Sequence, residues 1–160
     1  MLTLVRCDDR LIHGQCMTVI VQEYNIGRIL VVDDFTASNP ILKTVFQTAV
    51  PSNMKGNVYT IQEAVPEIEG AMKDDSNTLL LMKSPEVFRD LRKAMDGLPA
   101  ELNIGPMSSR KGTKEATPTA FLTPQEAEAI KELSAEGVHV FFRQLPTHKA
   151  VEWEEIKDNF

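Results

Sequence analysis

An α/β fold, a single domain over residues 1–160 with a mostly parallel central sheet and helices on both faces, is predicted by two patterns. Short apolar runs at 2–5, 28–32, 78–82 and 138–142 alternate with segments of helical periodicity almost throughout the chain. Several of these runs are continuously apolar rather than alternating, as strands covered on both faces must be. A chain of 160 residues is long enough for one sizeable core, and no internal repeat or linker-like tract divides it.

The elements follow in order. After the strand at 2–5, residues 16–21 continue as a helix that ends near Gly27, a C-terminal cap. The strand at 28–32 ends in Asp33-Asp34. Ser38-Asn39-Pro40 supplies a cap and a first-turn proline for a helix over 41–50, with Leu42, Val45, Phe46 and Ala49 on one face. A short third strand is expected at 57–61, and a helix at 62–72 interrupted by Pro66. The strand at 78–82 leads into Ser84-Pro85-Glu86, a helix start followed by Val87, Phe88 and Leu91 at helical spacing. A fifth strand at 102–104 precedes a polar loop over 105–119, too long for a simple connector. Thr123-Pro124-Gln125-Glu126 reads as a capping box, and Ala127, Ile130 and Leu133 form the stripe of a helix that stops before Gly137. The strand at 138–142 and a helix capped by Thr147, running through Val151, Trp153 and Ile156, close the chain.

Bulk properties narrow the function. A net charge of −6 argues against nucleic acid as the main partner. The N-terminal residues lack a basic region followed by a long apolar stretch, so neither a signal peptide nor a membrane anchor is expected, and the chain is expected in the cytoplasm. Cys7 and Cys16 fit no zinc or redox spacing and read as reduced packing residues.

Residues 6–15 are the stretch densest in chemistry: Arg6, Asp8, Asp9, Arg10, His13, Gly14 and Gln15 lie between an apolar strand and a helix. In an open α/β sheet ligands bind at such strand-to-helix turns. An imidazole there can act as a base, a metal ligand or a nucleophile toward phosphorus. Gly14 lets the amides opening the helix approach an anion, and Arg10 is a permanent cation three residues from His13, better matched to a phosphate than to a divalent metal. Either Asp8 or Asp9 can hold one ring nitrogen of His13 or simply turn the chain. Ser108 and Arg110, in the basic, serine-rich tip of the 105–112 loop, form either a second rim of the phosphate site or a solvated surface. Two rivals stay open. Asp33 and Asp34 with Asp8 and Asp9 would make an acidic magnesium pocket, and the same anion pocket would serve a non-catalytic module binding a nucleotide or phosphosugar. His139 and His148 have no clustered partners and read as structural or surface residues.

The string Arg6-Cys7-Asp8-Asp9-Arg10-Leu11-Ile12-His13-Gly14-Gln15 resembles the active-site signature of the enzyme IIB components of the mannose/sorbose family of the sugar phosphotransferase system. The resemblance extends through Val31-Val32-Asp33-Asp34, Asn39-Pro40, Asn103-Ile104-Gly105 with Met107, and the segment from Leu133 to Gln144. Cys7 and Cys16 stand where branched aliphatics are usual in that family, and Pro106 where a second glycine is common. The resemblance implies that His13 is phosphorylated, with Nδ1 as the suggested atom. Beside it, the residues' own chemistry gives catalytic roles to Arg10, Asp8 and Asp9 and phosphate-binding roles to Gly14, Gln15, Arg6, Ser108 and Arg110, with Arg6, close to the first strand, a better structural candidate than Arg10; no cofactor or metal is expected. An enzyme IIA protein or domain is the implied donor, and a sugar held by a membrane IIC/IID complex the implied acceptor. Leu11, Ile12 and Met107 are the expected apolar contacts for these partners.

Overall fold

The computed structural model describes residues 1–160, with the side chains of Gln15 and Cys16 outside that description. In chain order the elements are β1 (Leu2–Cys7), α1 (Gly14–Glu23), β2 (Arg28–Val32), α2 (Asp34–Ala37), α3 (Pro40–Ala49), β3 (Lys55–Tyr59), α4 (Ile61–Lys73), β4 (Thr78–Met82) and α5 (Pro85–Ala94). There follow β5 (Glu101–Ile104), β6 (Lys114–Thr117), β7 (Ala120–Leu122), α6 (Pro124–Ala135), β8 (His139–Phe142), β9 (Val151–Glu152) and α7 (Trp153–Ile156), with a 3₁₀ turn over Lys157–Asn159. The main sheet has seven strands in the order β3-β2-β4-β1-β5-β8-β9, and β6 pairs with β7 in a separate hairpin. All pairings in the main sheet are parallel except that of β9 with β8.

Alternation along the strands divides the apolar residues between two cores. Val5, Cys7, Leu30, Val32, Leu80 and Met82 face α4, α5 and α6, where Ile68, Phe88, Leu91, Ile130 and Leu133 meet them. Leu4, Ile29, Val31, Leu79 and Leu81 face the other way, onto Met17 and Ile20 of α1 and Phe46 of α3. The expected mostly parallel sheet with helices on both faces is therefore the observed one.

Several elements differ from expectation for local reasons. The first helix ends through Asn25, whose φ of 49° is left-handed, and not through Gly27; the Ile26 amide closes the turn onto Val21 O. A short helix, α2, follows β2 because Asp33 caps it, its Oδ2 accepting from the Thr36 amide at 3.0 Å. The stripe of α3 is only half used: Leu42 and Phe46 are half-buried, while Val45 and Ala49 are exposed. β3 ends at Tyr59, before 61, because Thr60 is the cap of α4 in a reciprocal box with Glu63. That helix continues past Pro66, which is exposed, so the carbonyl left without a donor faces water. The 105–119 segment contains β6, whose sequence Lys-Glu-Ala-Thr carries little strand propensity and is held by pairing with β7. The helix expected from Thr147 does not form: Val151 pairs with Phe142, and α7 starts only after Glu152.

The register levels the carboxyl ends of the central strands. Cys7 stands opposite Met82 on one side and Ile104 on the other, and Ile104 opposite Phe142. The segments that follow these four residues rise on one rim, tied by Asp8 N to Met82 O (2.9 Å), Gly105 N to Cys7 O (2.8 Å) and Arg143 N to Ile104 O (2.9 Å).

Candidate functional site

Neighbouring strands β1 and β4 send their helices to opposite faces, α1 into one core and α5 into the other. Such a switch opens a crevice at the carboxyl end of the sheet, and residues 8–13 occupy it. Asp8 starts a tight turn in which its carbonyl accepts from the Leu11 amide at 2.9 Å. Leu11 completes the turn with φ 57°, a conformation that costs a branched side chain energy and is held here by full burial of that side chain. His13, in extended backbone at φ −156°, is the N-cap of α1, but its side chain makes no capping bond. The ring is left for other work.

That ring is mostly enclosed, with 22% of its side-chain surface exposed. Its Nδ1 lies 3.0 Å from Leu11 O. A carbonyl only accepts, so Nδ1 carries the proton and Nε2 the lone pair in this geometry. Nε2 is buried and faces Asp8 Oδ2 at 3.9 Å, beyond hydrogen-bond reach. The expected carboxylate is therefore beside the ring, but a backbone carbonyl makes the direct contact. Asp8 itself is buried, and its Oδ1 accepts from the Arg10 amide at 3.0 Å. Burial pushes its carboxyl above the ordinary range, outweighing the lowering effects of that amide and of the His13, Arg6 and Arg10 charges.

Arg10 is half exposed on the rim, its Nε 3.8 Å from Asp8 Oδ1, so the guanidinium points to solvent with a single loose carboxylate neighbour. Gly14, at φ 26°, has open space where a Cβ would stand. A glycine serves the backbone angle here. The side chain of Gln15, expected to bind phosphate, lies outside the described residues.

Asp9 faces away from the ring. Its Oδ2 accepts from the Ser108 amide at 2.7 Å and from the Ser108 hydroxyl, and its own amide donates to Pro106 O at 3.2 Å. Arg110 bonds Ser108 O at 2.6 Å and the carboxylate of Glu126, the buried capping-box residue of α6. Ser108 and Arg110 thus anchor the 105–112 loop to Asp9 and α6, and among the described residues neither is hydrogen-bonded to His13.

Arg6 is placed under the rim, with a buried guanidinium. Nη1 bonds Asn103 Oδ1 (2.5 Å) and Arg143 O (3.0 Å), and Nη2 bonds Gln144 O (2.7 Å). A Cβ at Gly105 would stand 2.5 Å from Nη2 and 2.6 Å from Cζ. This glycine makes room for the guanidinium, which ties β1 to β5 and to the segment after β8. Asn103, Gly105 and Gln144 escaped the reading as site residues, although a glycine directly after a strand end signals a close approach of something bulky.

Other expectations are corrected by burial. Leu11, Ile12 and Met107 are buried, at 0%, 6% and 0% exposure, and offer no docking surface. The large apolar side chains exposed among the described residues are Met1, Phe35, Ile41 and Val45. Asp33 and Asp34, the acids of the magnesium rival, are occupied: Asp33 caps α2 with Lys83 Nζ 3.6 Å away, and Asp34 accepts from the Ile61 amide at 2.8 Å. Cys7 is fully buried, and that burial pushes its thiol well above the ordinary range, as for an inert packing residue. Cys16, expected to pack likewise, has its side chain outside the described residues.

With this geometry in place, comparison with known proteins defines the class. Residues 2–159 match the family model described as PTS system sorbose subfamily IIB component. The chain belongs to that family, the sorbose-type IIB components of the sugar phosphotransferase system. It is 34% identical over 151 residues to the sorbose-specific EIIB component of Klebsiella pneumoniae, covering 94% of this chain and 91% of the relative. The crystal structure of the IIBSor domain of the sorbose permease from the same organism superposes with a TM-score of 0.90 at 31% identity, over 99% of this chain and 96% of that one. The mannose-specific EIIAB component of Escherichia coli (strain K12) is 28% identical over 90% of this chain, which spans only 44% of that relative. No described helix is long and apolar enough to cross a membrane.

Proposed function

We propose that this IIB component is a phosphoryl carrier of the cytoplasm, taking phosphate onto His13 from a phosphohistidine on a IIA protein or domain and passing it to a sugar held by a membrane IIC/IID complex. The observation that carries the reading is the position of His13: at the N-cap of α1, in the switch-point crevice, between buried Asp8 and exposed Arg10. The EIIAB relative supports a IIA partner by its name.

The resting tautomer is set by Leu11 O. For transfer the ring turns off Leu11 O and closes the 3.9 Å gap between Nε2 and Asp8 Oδ2; the proton then sits on Nε2 facing Asp8, and the Nδ1 lone pair is free for in-line attack on phosphorus. The donor's N–P bond breaks as the Nδ1–P bond forms, and the proton that the His13 ring gives up on phosphorylation is matched by the one the departing donor imidazole takes up from solvent. Arg10 and the amides of the first turn of α1 face the charge carried by the phosphoryl oxygens in transit. In the second step the sugar hydroxyl attacks phosphorus, the electron pair of the N–P bond returns to the ring, and the hydroxyl proton ends on the imidazole. Asp9, Ser108 and Arg110 hold the loop beside this path, and Arg6 holds the strand ends under it.

Intact-mass analysis after incubation with a phosphorylated IIA protein tests the reading. One phosphoryl group that is labile to acid and stable to base is expected on the parent chain, and none on His13→Ala. Uptake by His13→Ala overturns the assignment, as does a label that survives acid. Chelators should leave the rate of uptake unaltered.

A further inference from the structure

A cleft of about 290 Å³ opens beside Arg10, lined by Asp9, Arg10, Pro106, Ser108, Thr119 and Gln144. It has a mixed set of hydrogen-bonding groups that the protein leaves partly unused. The Gln144 carboxamide makes no hydrogen bond among the described residues, although its backbone carbonyl is fixed by Arg6 Nη2 at 2.7 Å. Among the described residues the Arg10 guanidinium has only its loose carboxylate neighbour. Asp9 has one oxygen saturated by Ser108, while its Oδ1 has no donor among the described residues. Polar groups of a folded protein that lack partners call for a ligand or water.

The chemistry of the lining selects the ligand. Asp9 puts a carboxylate in the wall, which opposes a second anion, so a phosphate or nucleotide is a poor match. The volume lies at the small end for ligand pockets and matches a small molecule. Donors from Arg10, a two-way amide from Gln144 and a hydroxyl from Thr119 suit a small neutral molecule with several hydroxyls. We infer that this cleft is a subsite of the carrier for the acceptor sugar, with Gln144 hydrogen-bonded to a hydroxyl other than the one that attacks phosphorus. The inference rests on the phosphoryl-carrier reading above. It adds that the carrier contacts the sugar directly during transfer, with Arg10 shared between the phosphoryl group and the cleft, and Arg6 fixing the backbone on which Gln144 is mounted.

A chemical double-mutant cycle tests this. Parent and Gln144→Ala, both phosphorylated, are mixed with membranes carrying the cognate IIC/IID complex, and discharge is timed for the hexose that the parent discharges to fastest among mannose, fructose and sorbose. Monodeoxy analogues of that hexose follow. Loss of one neutral hydrogen bond predicts discharge slowed about five- to tenfold relative to uptake from the IIA protein. The ratio of parent to variant should return to near one for the single analogue that lacks the contacted hydroxyl. A ratio that stays the same across all analogues, or a variant that discharges as fast as the parent, overturns the subsite. A parent chain that never takes up phosphate overturns the carrier reading instead, and is seen before any sugar is added.

Discussion

At the scale of single residues, two neighbours of His13 should fail in different ways. Arg10 is half exposed and its side chain holds no part of the fold in place, so Arg10→Ala should unfold as the parent does while transferring phosphate on the order of a hundredfold more slowly, the effect of losing ~3 kcal/mol of charge stabilisation. Thermal melts beside rapid-quench transfer check both halves. Asp8 is the reverse case. Its folded pKa is raised above the unfolded value, so ionising it costs the folded state more than the unfolded one, and the stability it leaves is greatest when it is protonated and falls as pH rises through the raised pKa. Asp8→Asn keeps an acceptor for the Arg10 amide and removes the charge. It should be at least as stable as the parent at neutral pH, yet slower in phosphoryl uptake, because no carboxylate remains to draw the ring proton to Nε2. Equal uptake rates would remove Asp8 from the mechanism. The gathering of His13, Arg10 and Asp8 on one turn was legible from the motif because neighbours close in sequence set it. Gln144 was not, since what places it is an arginine far away in sequence, under the strand ends.

At the scale of elements, legibility followed the origin of the stabilising interaction. The boxes at Thr60 with Glu63 and Thr123 with Glu126 are local, and only the second was read in full; the first was obscured by Pro66. β4, buried along its whole length, announced itself by its apolar run. The β6–β7 hairpin and β9 were missed because partners elsewhere stabilise them, not their own composition. The cap of α3 is a case that local reasoning read well: Asn39 Oδ1 accepts from the Ile41 and Leu42 amides at 3.1 and 3.2 Å. Asn39→Ala should cost about 1 kcal/mol, measured by urea unfolding, with little effect on transfer, since its side chain bonds its own helix and α3 buries no residue.

At the scale of the whole molecule, the two ends of the sheet serve different purposes. The carboxyl end carries the site; at the amino end of β8, His139 bridges Glu101 of β5 at 3.2 Å and Glu152 of β9 at 2.5 Å. Partial burial lowers its pKa, but the hydrogen bonds and charges of Glu152 and Glu101 outweigh it and the net shift is upward from 6.5. The sign follows: the clip is fully present below the ordinary histidine value and is lost as pH rises through the raised one. Amide exchange in β9 should therefore speed up, beyond the intrinsic effect of base, as pH rises from the ordinary histidine value of 6.5 through the raised one, and His139→Gln should abolish that difference. Arg6 performs the corresponding task at the other end, in a socket that exists only because residue 105 has no side chain. Gly105→Ala alone should cost about 1–3 kcal/mol through overpacking. For inheritance this ties together two positions almost a hundred residues apart: a lineage that gains a side chain at 105 has to shorten the one at 6 and also shift the Cys7 carbonyl, 2.8 Å from where the new Cβ would stand, and the change at 105 made first passes through a less stable ancestor.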